Sequence, residues 1–316
     1  MSRLFNLVQN ENMKIYRRIR TWILIALIVA ITAGASIIVY KVKDIVSGDS
    51  WRADVQRQIE QDKQLAADKS MPQAARDQFE SNVKVGEYRL QHDIPPADNN
   101  VWNGVNDMSI LIMLVTIFTI IVAADIVAGE FGGGTIKLLL IRPASRSKIL
   151  LSKYIATLLF SLALLVTLFV SAFIVNGILY GFTGVDLPYV YASKDGVVHE
   201  GSMLAHTLGI YGLSCIQLLM VVTLAFMIST VFRSSSLAIG LSMLLLLVGS
   251  SINILVNKYS WMKYWLFMNT DLTPYLNGMP PAEGMTMTFS IIVLAVYFIV
   301  FNALSWTIFN KRDVAA

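Results

Sequence analysis

Cysteine occurs once in this chain, as Cys215, and histidine three times. A lone cysteine inside an apolar stretch allows no disulfide framework and argues against redox chemistry. Charge is also scarce: Asp, Glu, Lys and Arg make up 15% of the 316 residues, against about 25% in soluble domains. The phosphate-cradle pattern G-x-x-x-x-G-K-[ST] is missing, since Gly132-Gly133-Gly134 runs into Thr135-Ile136-Lys137 at the wrong spacing. There is no H-E-x-x-H, no pair of histidine ligands and no nucleophile elbow. Ser214 and His206 are eight residues apart, roughly two helical turns, too far to hydrogen-bond as a hydrolase pair. Asp186, Asp195, His199 and Glu200 share a polar stretch but match no zinc spacing. The expectation is a non-enzyme with no catalytic residues, no cofactor, no metal and no nucleic-acid partner.

What the chain has in quantity is long apolar runs, with 55% of its residues hydrophobic. Several runs approach the roughly 20 residues that cross a bilayer as a helix. The fold class is therefore an all-α integral membrane protein with six spans. The spans are 22–40, 107–128, 155–180, 205–232, 237–256 and 289–309. Ala33-Gly34-Ala35 mimics a signal-cleavage site, but Ser36–Tyr40 continues the apolar run, so the first span is retained. Asp125 lies near the inner end of the second span, and its place within a turn of Glu130 predicts an interface-facing group. The other polar span residues are Asn176, Gln217, Asn253 and Asn302. Each is either inter-helix glue or part of a lateral substrate path lined by Asn176, Gln217 and Asn253. So little intramembrane charge disfavours coupling to an ion gradient.

Between the spans, residues 1–21 predict an interfacial amphipathic helix carrying Leu4, Leu7, Val8, Ile15 and Ile19, with Lys14, Arg17 and Arg18 near its end. The 41–106 stretch is polar. Trp51, Val55 and Ile59 are four apart, as are Ala75, Phe79 and Val83, which predicts two helices split near Ser70-Met71-Pro72 and packed as a hairpin. Residues 181–204 read as a polar loop. The 257–288 stretch, with Trp261, Tyr264, Trp265 and Phe267, reads as an aromatic interfacial loop or re-entrant helix before the last span and the 310–316 tail. The N-terminus, the 125–153 region, the Arg233 turn and the C-terminus together hold 13 of the 25 Lys and Arg but only 4 of the 21 Asp and Glu. That bias puts both termini in the cytoplasm; the expected location is a bacterial plasma membrane.

The most loaded stretch is Asp125 to Lys153. Glu130 closes an apolar span, and three glycines break the helix at a cost of roughly 1 kcal/mol each relative to alanine. Thr135 can cap a short Leu138-Leu139-Leu140 element, Pro143 ends it, and Ser145 can cap the next helix. This order of parts, Glu130, Gly134-Thr135, the leucine run, Pro143, Ser145-Arg146, Ile149-Leu150-Leu151 and Lys153, resembles the first cytoplasmic loop of ABC-2-type exporter permeases. The resemblance implies that 129–154 holds a cytoplasmic coupling helix seated on a separate cytosolic ABC ATPase, present in two copies. It also implies a second permease subunit, identical or homologous, and export of a hydrophobic or amphipathic substrate. In that picture Arg142, Arg146 and Lys148 are docking charges, Glu130 is a pivot acid, and Gly134, Thr135 and Pro143 shape the lever. The other reading is a non-transporting scaffold or sensor whose 41–106 domain binds a partner outside.

Overall fold

The computed structural model describes residues 2–46, 50–71, 73–96, 100–136, 144–182, 185–193, 195–252, 259–278, 280–282 and 284–311. A short helix, α1 (Ser2–Tyr16), leads into the long apolar α2 (Ile19–Val46). Two polar helices follow, α3 (Trp51–Ala67) and α4 (Gln73–His92). Then come α5 (Val101–Asp107), α6 (Ile112–Gly132) and the longest helix, α7 (Arg146–Tyr180). Strands β1 (Pro188–Ala192) and β2 (Val198–Ser202) precede α8 (Met203–Val231), α9 (Ser235–Ser251), α10 (Leu266–Thr270) and α11 (Met287–Lys311).

Five of these stretches are long and apolar enough to cross a membrane: Ile19–Lys43, Val101–Gly132, Arg146–Tyr180, Met203–Val231 and Met287–Lys311. Helix α9 is apolar but has 17 residues, about 26 Å at 1.5 Å each. The predicted span 237–256 begins two residues after this helix does, and its last four residues lie outside the described ones. The helices cover one another on their inner faces and leave large apolar side chains exposed on their outer ones. Ile23 and Leu27 of α2, Val166 and Val170 of α7, and Ile292, Val296 and Ile299 of α11 are all exposed. A soluble monomer does not carry such an apolar belt, whereas hydrocarbon tails do cover one. The chain is a multi-pass membrane protein.

Helix α6 forms the centre and packs on α7, α8 and α9. Val115, Ala123, Ala124, Val127 and Ala128 are fully buried along it. Small side chains there let the neighbouring backbones come close, which is how helices associate where water supplies no driving force. At that crossing the Ser229 hydroxyl accepts from the backbone N–H groups of Val127 at 3.1 Å and Ala128 at 3.0 Å. Helices α2 and α1 both lean on α7.

The polar cap agrees with the sequence in part. α3 and α4 pack as the predicted hairpin around Val55, Ile59 and Val83. The stretch read as a plain polar loop, 181–204, instead folds into an antiparallel hairpin with Val190 opposite Glu200. Alternating Tyr189-Val190-Tyr191-Ala192 puts Val190 and Ala192 inward, the period-two pattern of a half-buried strand. Tyr88 of α4 donates to Glu200 at 3.1 Å and Tyr189 to Asn277 at 3.3 Å, which tie the hairpin to its surroundings. The chain is mostly helical, as expected, and among the described residues these two five-residue strands are an addition to that pattern. The aromatic stretch also divides. Trp261 and Tyr264 are exposed, whereas Phe267 is buried and its ring occupies the space where a side chain on Gly249 would lie.

Candidate functional site

Helix α1 ends at Tyr16, and the carbonyls of its last turn need partners. The Thr21 hydroxyl donates to the Ile15 carbonyl at 2.6 Å, and the Trp22 indole N–H donates to the Tyr16 carbonyl at 2.8 Å. These two bonds shape an elbow, Arg17–Arg18, that folds α1 back against the start of α7. The elbow brings the basic end of α1 onto the acidic end of α6.

Four charged side chains meet there and close a ring. Lys153, two turns into α7, donates to Glu11 at 2.8 Å and to Glu130 at 3.0 Å. Lys14 donates to Glu130 at 2.9 Å and to Glu11 at 3.1 Å. Every member touches both charges of opposite sign, and the ring is neutral. Lys153 is only 1% exposed and is among the largest of the fully buried side chains of the described residues. An ammonium is tolerated at that depth only when fixed carboxylates replace its hydration. Burial pulls Lys14 towards the neutral form, but Glu130 and Glu11 outweigh it and hold the ammonium above the ordinary lysine range.

Five residues earlier in α6, Asp125 is buried and receives Arg18 at 2.5 Å and also Arg20. The expected interface-facing carboxylate is instead covered, because two guanidiniums reach it, one from the elbow and one from the start of α2. A cavity of about 20 Å³ remains among these groups, room for roughly one water.

The sequence-predicted residues distribute unevenly around this ring. α6 runs through Gly132, then ends at Gly133, and Gly134 takes a positive φ of 69° that suits glycine. The element that Thr135 is expected to cap lies outside the described residues apart from Ile136. The Thr135 hydroxyl donates to the Glu130 carboxylate, a charged acceptor close by. Ser145 sits at the start of α7 without a side-chain capping bond. Arg146 donates to the Asn310 carbonyl at 3.1 Å, so it covers the C-terminal end of α11. Lys148 is exposed, and so is Arg17. Arg142, Pro143 and the leucine run lie outside the described residues, as does Asn253. Gln217 is half-buried on α8. Asn176 is buried and donates to Ser36 of α2 at 3.1 Å and to the Ala172 carbonyl at 2.8 Å, the arrangement of inter-helix glue.

Two members of the ring escaped sequence reasoning as site residues, Glu11 and Lys153. A signal for Glu11 exists: it lies four residues before Ile15, on the same face of α1, and a lone acid on an apolar face needs a cation. Lys153 closes the loop motif, but nothing in its neighbours announces burial. The arrangement binds no obvious reactant. It fastens both ends of the 131–152 segment to each other and to α1.

A family model described as "Protein of unknown function (DUF2705)" matches residues 78–315. The chain is similar to the uncharacterized protein YhcI of Bacillus subtilis, at 41% identity over 318 residues, covering 99% of this chain and all of that one. It is also similar to the uncharacterized membrane protein YdbK of the same organism, at 33% identity over 205 residues, covering 64% of this chain and 78% of that one.

Proposed function

This chain belongs to the DUF2705 family, and from that premise we propose that it is the membrane-spanning permease subunit of an ATP-driven ABC exporter. In this reading α9, continued beyond Ser251, is a sixth span, and both termini and the 131–152 segment face the cytoplasm. The subunit pairs with a second permease, identical or homologous, and engages two copies of a separate ATPase. Its cargo is a hydrophobic or amphipathic compound taken from the cytoplasm or inner leaflet.

The observation that carries the reading is the ring of Glu11, Lys14, Glu130 and Lys153. A loop held at both ends by buried ion pairs cannot absorb a push by bending at its roots. Force applied to it passes into α6 and α7 together, while α1 braces the joint from the side. That is the mechanical need of an element driven by another protein. The chain carries no phosphate-cradle motif, which supports assigning ATP hydrolysis to a partner in this reading.

Lys148 is the better docking charge to test, since Arg146 already closes the end of α11. Lys148→Glu is expected to weaken ATPase association and ATP-stimulated export roughly tenfold, the scale of one interface charge pair. The amount of protein in the membrane should stay unchanged. The check is mild solubilisation of the tagged protein, identification of what co-purifies, and assay of the eluate for ATP hydrolysis. Recovery of the parent protein without any ATPase in several detergents counts against the reading. It would favour the alternative, a membrane scaffold or sensor working through the polar cap, which the groove between α3, α4 and β1 recommends.

A further inference from the structure

The polar cap holds an open groove of about 280 Å³ between α3, α4 and β1. Val55 and Ile59 line its apolar part, and the amides of Gln58, Gln78 and Asn82 line the rest. On the strand side stand Tyr189 and Tyr191, whose rings stack with centroids 5.6 Å apart. Asp62 also faces the groove and is only 7% exposed.

Asp62 differs from the other buried carboxylates. Glu11, Asp125 and Glu130 each hold at least two cations. Among the described residues, no ammonium or guanidinium lies within ion-pairing distance of Asp62. Its partner is the neutral Asn82 side chain, and burial raises the carboxyl above its ordinary range. The adjacent Lys63 turns away to Glu87 at 2.7 Å. Arg89 lines the same groove but lies seven residues beyond Asn82, about 10 Å along α4, and donates to the Pro95 carbonyl at 3.0 Å. A buried carboxylate without a counter-charge is costly, and a groove that keeps one open to the outside invites a cation. A calcium ion requires six to eight oxygen ligands, typically several of them carboxylates, which this lining does not supply. Amides along the walls match amides in a ligand, and tyrosine faces attract an organic cation.

We propose that this groove binds a basic peptide segment, with a lysine or arginine head against Asp62 and its backbone amides against Gln58, Gln78 and Asn82. The assignment stands whether or not the chain is a permease, since it needs only the cap.

The test uses the full chain in nanodiscs of zwitterionic lipid and isothermal titration with tri-lysine, free lysine, Nα-acetyl-lysine amide and its norleucine analogue. Tri-lysine and the lysine amide are expected to bind saturably at one site, and the norleucine analogue about tenfold more weakly or not at all. D62N should abolish binding, whereas E87Q, on the same hairpin, should not. Q78K is a second route, because a tethered ammonium one turn from Asn82 would occupy Asp62 from within. It should block binding in a protein that remains monodisperse. Equal binding of the norleucine analogue, retention of binding in both D62N and Q78K, or no saturable heat at millimolar ligand overturns the site. Free lysine binding more tightly than tri-lysine overturns the peptide assignment.

Discussion

Lys153→Met is expected to produce the largest loss of stability of any conservative change in this protein. The side chain is 1% exposed and neutralises two carboxylates, Glu11 and Glu130, that are themselves mostly buried. Methionine matches the length and fills the space, so packing loss is small and the effect isolates the charge. Removing one partner of a buried ion pair costs about 3–5 kcal/mol, because the other charge stays desolvated. Here two carboxylates are left sharing Lys14, which is partly open to solvent. Against a total stability of about 5–15 kcal/mol, that is a large fraction. Thermal unfolding followed by size-exclusion fluorescence should show a broad aggregated fraction and a lower midpoint. The double variant E130Q/K153M retains a balanced Glu11–Lys14 pair and should recover most of the loss. A single variant that melts with the parent, or a double variant no better than the single, would show that the ring does not hold the junction.

Gly104→Ala is the second large effect, and it comes from crowding. A Cβ on Gly104 would lie 2.4 Å from Oδ1 of Asn176 and 2.8 Å from its Cβ. Asn176 cannot step aside freely, since its amide already bonds to Ser36 and to the Ala172 carbonyl. Either α5 moves off α7, or the amide turns and leaves the Ser36 contact. Overpacking of this kind costs about 1–3 kcal/mol, and an orphaned buried polar group adds about 1–3 more. Asn176→Ala should be milder, and G104A/N176A no worse than N176A alone. That non-additivity, read from four melting curves, is the signature of direct contact. Additive losses would mean that the two positions act separately.

The sequence announced the elements whose signals are local and repetitive. The apolar runs, the four-residue spacing of Val55 and Ile59, and the triple glycine after Glu130 each lead to the observed helix or break. The β hairpin was hidden because Pro188–Ala192 is a five-residue strand whose alternation lies inside a polar stretch. Nothing local separates it from a loop. The charged ring was half-visible. Glu130 and Lys14 stand out at the ends of apolar or amphipathic segments, but pairing across 116 residues depends on how the elbow at Arg17–Arg18 folds back. Asp125 was placed at the interface for the same reason: the sequence shows the acid, whereas the two arginines that bury it arrive by tertiary packing. Lys153 was the least legible, since burial of a lysine contradicts its usual behaviour and is explained only by its partners.

The ring also has a history within each synthesis of the chain. Glu11 is made 142 residues before its partner Lys153. At about 5–20 residues per second, that interval lasts roughly 7–28 s. Until Glu130 emerges the N-terminal helix has no seat, and Glu11 and Lys14 can satisfy only one another. Two hydrophobic segments must already be threaded before the third brings the lysine that locks them. Insertion therefore proceeds with an open latch, and the arrival of α7 closes it. A nascent chain stalled before Lys153 would present a loose amphipathic helix to the membrane surface, a state that quality-control proteases can recognise.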